Sequence, residues 1–196
     1  MPNPDKKIYP TFKEYLKDKY EGPYCATDLL VRYNGGLVLI ERKFPPFGLA
    51  IPGGMAEKMH FHKNSIKEGL EETGLDFIVD KPFYKPLCVL SYPEQDPRAF
   101  VSSITFTGVG VGKLMPHPDE DAKNARVLTI EDIANLLDKP FYEPEKKNSD
   151  AVWAFKSHPV ILCIYLKERE FQNLSEHSKE LVLKYEQSQN YKRVVG

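Results

Sequence analysis

Between Pro52 and Leu75 the chain is punctuated by glycine at both ends and changes its period, and this interruption constrains the fold more than any other feature. Before it the pattern is extended. Tyr24 to Tyr33 reads as a strand, Asn34-Gly35-Gly36 as a hairpin turn, and Leu37-Val38-Leu39-Ile40 as the returning strand. Leu49-Ala50-Ile51 is extended between two loops, Pro45-Pro46-Phe47-Gly48 and Pro52-Gly53-Gly54. Past Gly54 the period becomes helical, with Ile66, Leu70 and Thr73 on one side and Gly74 as the C-cap. Strands resume at about Pro86 to Tyr92 and Ala99 to Val111. A helix spliced into a run of strands requires a layered architecture, in which the sheet covers the helix on one face.

The rest of the chain adds helices at both ends. Thr11-Phe12-Lys13-Glu14 has the form of a capping box before a short helix that Glu21-Gly22-Pro23 breaks. An acidic loop, Pro116 to Lys123, leads to a short strand at Ala125 to Leu128, and Thr129 with Asp132 caps a helix through Leu137. Residues 138–148 read as an exposed connection. From Ser149 the pattern is helical, with Pro159 marking a kink or a new start, and an amphipathic stretch runs from Ser175 to about Gln189. The expected class is α+β, a sandwich around a mixed sheet, with residues 23–170 as the main domain and helical extensions at 1–22 and 171–196.

Charge narrows the partners. Lysine and arginine number 27 and aspartate and glutamate 28, so no net positive field exists to hold a nucleic-acid backbone. The three cysteines, Cys25, Cys88 and Cys163, sit in apolar runs and read as buried thiols in a reducing compartment. No stretch reaches the roughly 18 apolar residues of a membrane span. A cytoplasmic protein that binds neither membrane nor nucleic acid is expected.

The helix after Gly54 carries the chemistry. Glu68, Glu71 and Glu72 stand at i, i+3 and i+4, so the three carboxylates share one face. Like charges at this spacing repel, and a hard divalent cation relieves that cost while using the oxygens as ligands. The alternative is a solvated helix face. A Pro-Gly-Gly loop directly before the helix and a glycine cap directly after it favour the metal.

Here the segment from Gly53 to Leu75 resembles the Nudix signature: a glycine, five residues, a glutamate, seven residues, then Arg-Glu-apolar-x-Glu-Glu-x-Gly-apolar. Counting from Gly53 brings Lys67 onto the arginine, Glu68 onto the next glutamate, Glu71-Glu72 onto the paired glutamates, and Gly74-Leu75 onto the end. The early glutamate falls on Met59, or on His60 if the count starts at Gly54, and Glu57 fits neither register. Gly69 replaces an apolar residue, which weakens the helix by about 1 kcal/mol relative to alanine. The resemblance implies an α/β/α sandwich, and magnesium, with manganese as the alternative, held by Glu68, Glu71, Glu72 and the Gly53 carbonyl. His60 and His62 are surface histidines on this reading.

Substrate is read from the remaining loops. Glu41 to Gly54, Asp96-Pro97-Arg98, Asp119 to Ala125 and the segment Trp153 to His158, taken as a late helix, are similar to the ADP-ribose pyrophosphatase branch. The resemblance implies cleavage of ADP-ribose to AMP and ribose 5-phosphate. Arg42 and Lys43 can donate to a diphosphate or form salt bridges. Arg98 can pair with phosphate or close its loop through Asp96. Phe44 and Phe47 can stack on adenine or pack their loop. Gly53 and Gly54 line the substrate, and Glu120 in the acidic loop is the candidate general base or solvated charge. Two alternatives stand beside this: a nucleotide sensor with an eroded motif, and a Nudix enzyme for another nucleotide. The terminal helices are candidate surfaces for a homodimer.

Overall fold

A computed structural model describes residues 10, 11, 14, 22–115, 122–146 and 150–196. The hairpin forms as expected: β1 (Tyr24–Tyr33) and β2 (Gly36–Arg42) pair antiparallel. Asn34 and Gly35 both take positive φ, 46° and 79°, the conformation a two-residue turn between right-twisted strands requires. β3 (Leu49–Ala50) returns along β2, and β4 (Gly53–Met55) pairs with β1, so the glycines expected in a loop are a short strand. Helix α1 (Phe61–Thr73) follows, ended by Gly74 at φ 71°. Four strands complete the sheet: β5 (Asp76–Val79), β6 (Cys88–Leu90), β7 (Val101–Val111) and β8 (Ala122–Leu128). The sheet is mixed, because β7 runs parallel to β1 while the other pairings are antiparallel.

Both faces of the sheet are buried. Successive residues of a strand point to opposite faces, and in β1 and β2 this sends Leu29, Val31, Val38 and Ile40 to one core and Leu30, Leu37 and Leu39 to the other. The first core lies under α1. The second is closed by α2 (Ile130–Leu136), α3 (Ser157–Tyr165), a π-helical turn (Leu166–Glu170), α4 (Glu176–Glu186) and α5 (Gln189–Val195). This is an α/β/α sandwich. Leu174, Val182, Tyr185 and Val194 are buried with the sheet, so residues 171–196 belong to the same core as the strands.

Several local expectations are corrected. β5 had no counterpart in the sequence reading, since four residues of mixed polarity give no clear period. Residues 150–156 are not helical: Trp153 bridges Leu49 and Phe141, and α3 starts at Ser157, with Pro159 inside its first turn. Gly48, at φ 124°, is where this crossing happens, and a Cβ there would lie 2.8 Å from the Trp153 backbone. The amphipathic stretch from Ser175 forms α4, and a further helix, capped by Ser188, follows where that stretch ends. The Thr11–Glu14 capping box forms, and the rest of the helix expected there lies outside the described residues. Cys25 is exposed where a buried thiol was expected; Cys88 is half-buried and Cys163 buried. No helix among the described residues is long and apolar enough to cross a membrane.

Candidate active site

Helix α1 turns a polar face inward. The expected apolar stripe does not hold, because Leu70 is exposed, and the buried positions are Asn64, Ser65, Gly69, Glu72 and Thr73. Buried polar groups need partners, and two of these, Asn64 and Glu72, draw the helix onto the loop before it, while Ser65 and Thr73 bond back within the helix. The Gly53 N–H donates to Glu72 Oε2 at 2.8 Å. Asn64, with no exposed surface, accepts from the Glu57 N–H at 2.9 Å and donates to Thr27 Oγ1 at 2.9 Å, tying the loop to β1. Thr73 Oγ1 donates back to the Gly69 carbonyl at 2.6 Å. A side chain on Gly54 would collide with the Glu68 carboxyl, which therefore lies directly over the glycine backbone. Gly69 has a similar reason: a Cβ there would lie 2.8 Å from the Phe77 ring and 3.3 Å from Leu29.

The early glutamate of the motif has a stand-in. Glu57, which fits neither sequence register, brings Oε1 to 2.8 Å from Lys67 Nζ. Lys67 also lies 3.3 Å from Glu71 and 3.7 Å from Glu68, so one ammonium serves three carboxylates and its pKa is raised, chiefly by Glu57. Met59 and His60 are exposed instead, and His60 and His62 stack on one another with ring centroids 5.8 Å apart. Neither histidine lines the cavity described next. The Met55 to Met59 loop doubles back, with the Met59 N–H donating to the Glu57 carbonyl at 2.7 Å, and this turn sets which residue reaches the helix.

A cavity of about 210 Å³ opens beside α1, lined among others by Asp28, Arg42, Gly53, Gly54, Glu68, Glu72, Arg98 and His158. Glu71 is turned toward Lys67 and stands outside its lining. Among the described residues no three acidic, histidine or cysteine side chains close around one point tightly enough to enclose a metal. Burial holds the Glu68 carboxyl above its ordinary pKa, and the charges of Glu71 and Glu57 add to this against Lys67. Arg42 is buried, donates to the Pro46 carbonyl at 3.0 Å, and lies 5.5 Å from the Phe155 ring centroid. Arg98 approaches the same ring at 5.1 Å and is gripped by Asp96 through two bonds of 3.0 and 2.8 Å. Arg98 therefore closes its loop through Asp96 and still faces the cavity. Lys43 lies outside, over Phe44 at 5.4 Å, and Phe47 packs edge-on against Tyr142 at 5.9 Å. Glu120 lies outside the described residues.

Two titratable residues of the cavity, Asp28 and His158, had no role assigned from the sequence. Asp28, in the middle of β1, is buried, and burial raises its pKa to about 7, offset in part by hydrogen bonds from Ser103 and Thr105. His158 Nδ1 accepts from the Ile51 N–H at 3.0 Å, which leaves Nε2 to carry the proton, 3.8 Å from Asp28 Oδ1. Burial, then the charge of Arg42, pushes His158 down to about 3, so at neutral pH this contact is not an ion pair. A lone aspartate in the apolar run Thr27-Asp28-Leu29-Leu30-Val31 was the available signal.

Known proteins resemble the chain in sequence and in fold. No family model matches the chain. An ADP-ribose pyrophosphatase from Methanocaldococcus jannaschii is 34% identical over 121 residues, covering 60% of this chain and 68% of that protein. Among solved structures, a MutT/nudix family protein from Enterococcus faecalis superposes with a TM-score of 0.58 at 21% identity, over 89% of this chain and 74% of that one. The bifunctional NMN adenylyltransferase/ADP ribose pyrophosphatase from Francisella tularensis gives 0.59 at 22% identity over 80% of this chain, which spans only 44% of that longer protein. The Nudix domain of Shewanella oneidensis NrtR, solved with ADP ribose, gives 0.56 at 14% identity, over 80% of this chain and 97% of that one. With the glycine strand, the capped glutamate helix and the mixed sheet all in place, and with a third of the aligned residues shared with the Methanocaldococcus enzyme, the chain belongs to the Nudix hydrolases, as a relative of the ADP-ribose pyrophosphatases.

Proposed function

We propose that this protein hydrolyses the diphosphate bond of a nucleoside diphosphate derivative, with ADP-ribose the substrate and magnesium or manganese the cofactor. The observation that carries the reading is the juxtaposition of Glu68 and Glu72 with Arg42 and Arg98 in one cavity. Carboxylates and guanidiniums lining one cavity suit a metal-bound diphosphate, which needs hard oxygen ligands for the cation and planar donors for the phosphates. The donor set fits such a cation: Glu68 lies over the Gly54 backbone in a partly buried, charge-crowded position, Glu72 is fixed by the Gly53 N–H, and Glu71, on the same helix, would join them on exchanging its Lys67 contact for the cation. When bound, the cation would neutralise charge on the phosphates and lower the pKa of a coordinated water. The chain's own residues then have separate tasks. Arg42 and Arg98, both lying against Phe155, orient the diphosphate, while Glu57 anchors Lys67 beside Glu68.

A panel of nucleoside diphosphate derivatives incubated with magnesium, with AMP and ribose 5-phosphate as the products measured for ADP-ribose, tests the substrate. Glu72→Gln should lower kcat by at least about a hundredfold while the fold persists, because one ligand and its charge are lost together. Near-normal turnover in that variant would remove α1 from the metal site. Calcium-supported binding of ADP-ribose without any AMP in magnesium or manganese would identify a sensor instead.

A further inference from the structure

The cavity beside α1, about 210 Å³, is smaller than the roughly 300–1,000 Å³ of pockets that enclose a whole drug-sized ligand. A nucleoside diphosphate carrying a second group must extend beyond it. A second cavity of about 380 Å³ adjoins the first at Asp96 and Arg98, which line both. Its other walls include Tyr142, Glu94, Glu143 and Lys156, together with three prolines. We infer that this second cavity is the nucleobase subsite, with the Tyr142 ring as its stacking surface and the diphosphate passing Arg98 between the two cavities. The inference rests on the substrate class proposed above.

Two features favour a base over a sugar, and a third fits the path of the diphosphate. Tyr142 is set on fixed backbone: its N–H donates to the carbonyl of fully buried Trp153 at 2.7 Å, and Phe47 braces the ring edge-on. An aromatic ring held in a cavity that three prolines also line offers stacking to any base, since every base has a π-face. The carboxylates that a polyhydroxylated sugar would use are already engaged, Glu94 with Lys156 at 3.6 Å and Glu143 with Lys146 at 2.9 Å. Arg98 sits where the first phosphate after the nucleoside would pass, oriented by Asp96 so that its guanidinium plane cannot swing away.

The test uses the full chain and three probes: AMP, ribose 5-phosphate and ADP-ribose. Tyr142→Ala should weaken AMP binding by calorimetry, and raise the KM for ADP-ribose, by roughly five- to a hundredfold, the range of base–aromatic stacking. Ribose 5-phosphate binding should not change, and kcat should change less than KM. Tyr142→Phe keeps the ring and should recover most of the loss, which separates stacking from damage to the loop. Weakened ribose 5-phosphate with unaltered AMP would make this the sugar end and overturn the inference, as would equal AMP affinity in wild type and Tyr142→Ala. A wild type that binds AMP through Tyr142 yet leaves ADP-ribose intact would keep the subsite and sink the substrate. A wild type that binds neither AMP nor ADP-ribose would overturn both.

Discussion

Lys67 is shared by three carboxylates, and the shortest of its contacts is the one to Glu57. Glu57→Gln should therefore release Lys67 toward Glu71 and lower activity by about tenfold, as loss of a partner behind a metal ligand usually does. Met59→Glu should give no gain, since the place at Lys67 is filled; a rise in kcat with Met59→Glu would restore the register counted from Gly53. The sequence hid this because motif counting assumes a regular loop, whereas the Met59-to-Glu57 backbone bond folds two residues back. Asp28 and His158 were hidden for another reason: they come from β1 and α3 and meet only in the folded chain. Their titrations work against each other. Asp28, raised from 3.8 to about 7, contributes stability fully below about pH 4 and loses it as pH rises toward 7. His158, lowered from 6.5 to about 3, contributes fully above about pH 6.5 and loses it as pH falls. Between about pH 4 and 6.5 the two slopes oppose each other in the metal-free protein. Relative to wild type, Asp28→Asn should then gain stability with rising pH over that window and His158→Asn should lose it. Urea midpoints at pH 4.5 and 6 measure both, and identical profiles for the two variants would refute the opposition.

At the scale of elements, α1 was legible in type, place and C-cap, yet its buried face was misjudged. A helix over a glycine strand buries small and polar residues because the strand supplies backbone donors and little side-chain volume, so hydrophobic periodicity points the wrong way. Gly69 shows the cost of reading propensity alone. Its absence of a side chain weakens the isolated helix, but the Phe77 ring and Leu29 occupy the space a side chain would need. Gly69→Leu, which restores the apolar residue of the signature, should destabilise the protein by about 1–3 kcal/mol through overpacking. A denaturant midpoint equal to or above wild type would show that Phe77 yields freely. Trp153 to Lys156 read as helix because Trp, Ala, Phe and Lys carry no strand alternation, and their path is set by distant backbone partners, the bridges through Trp153 among them.

For the molecule as a whole, the layered class and the mixed sheet followed from one helix interrupting a strand pattern, while the pairing partners did not, since register between distant strands leaves no local trace. The closing helices share a core with the sheet, and a chain ended at residue 170 should lose cooperative thermal unfolding because Leu30, Leu37 and Leu39 would lose part of their cover; a sharp transition in that fragment would show the strands and α1 to be self-sufficient. The parallel ladder of β1 with β7 also dictates an order of events. β1 lies between β2 and β7, and the Asp28–Ser103 contact joins residues 75 positions apart. Closing so long a loop must precede any reward from the contacts it brings together, which slows folding. During synthesis the hairpin and α1 emerge first, yet β1 keeps a bare edge until β7 follows. The nascent chain thus carries its glutamate helix for dozens of residues before the floor of the cavity exists, and a chaperone that shields the β1 edge in that interval would protect the enzyme more than one that binds the finished protein.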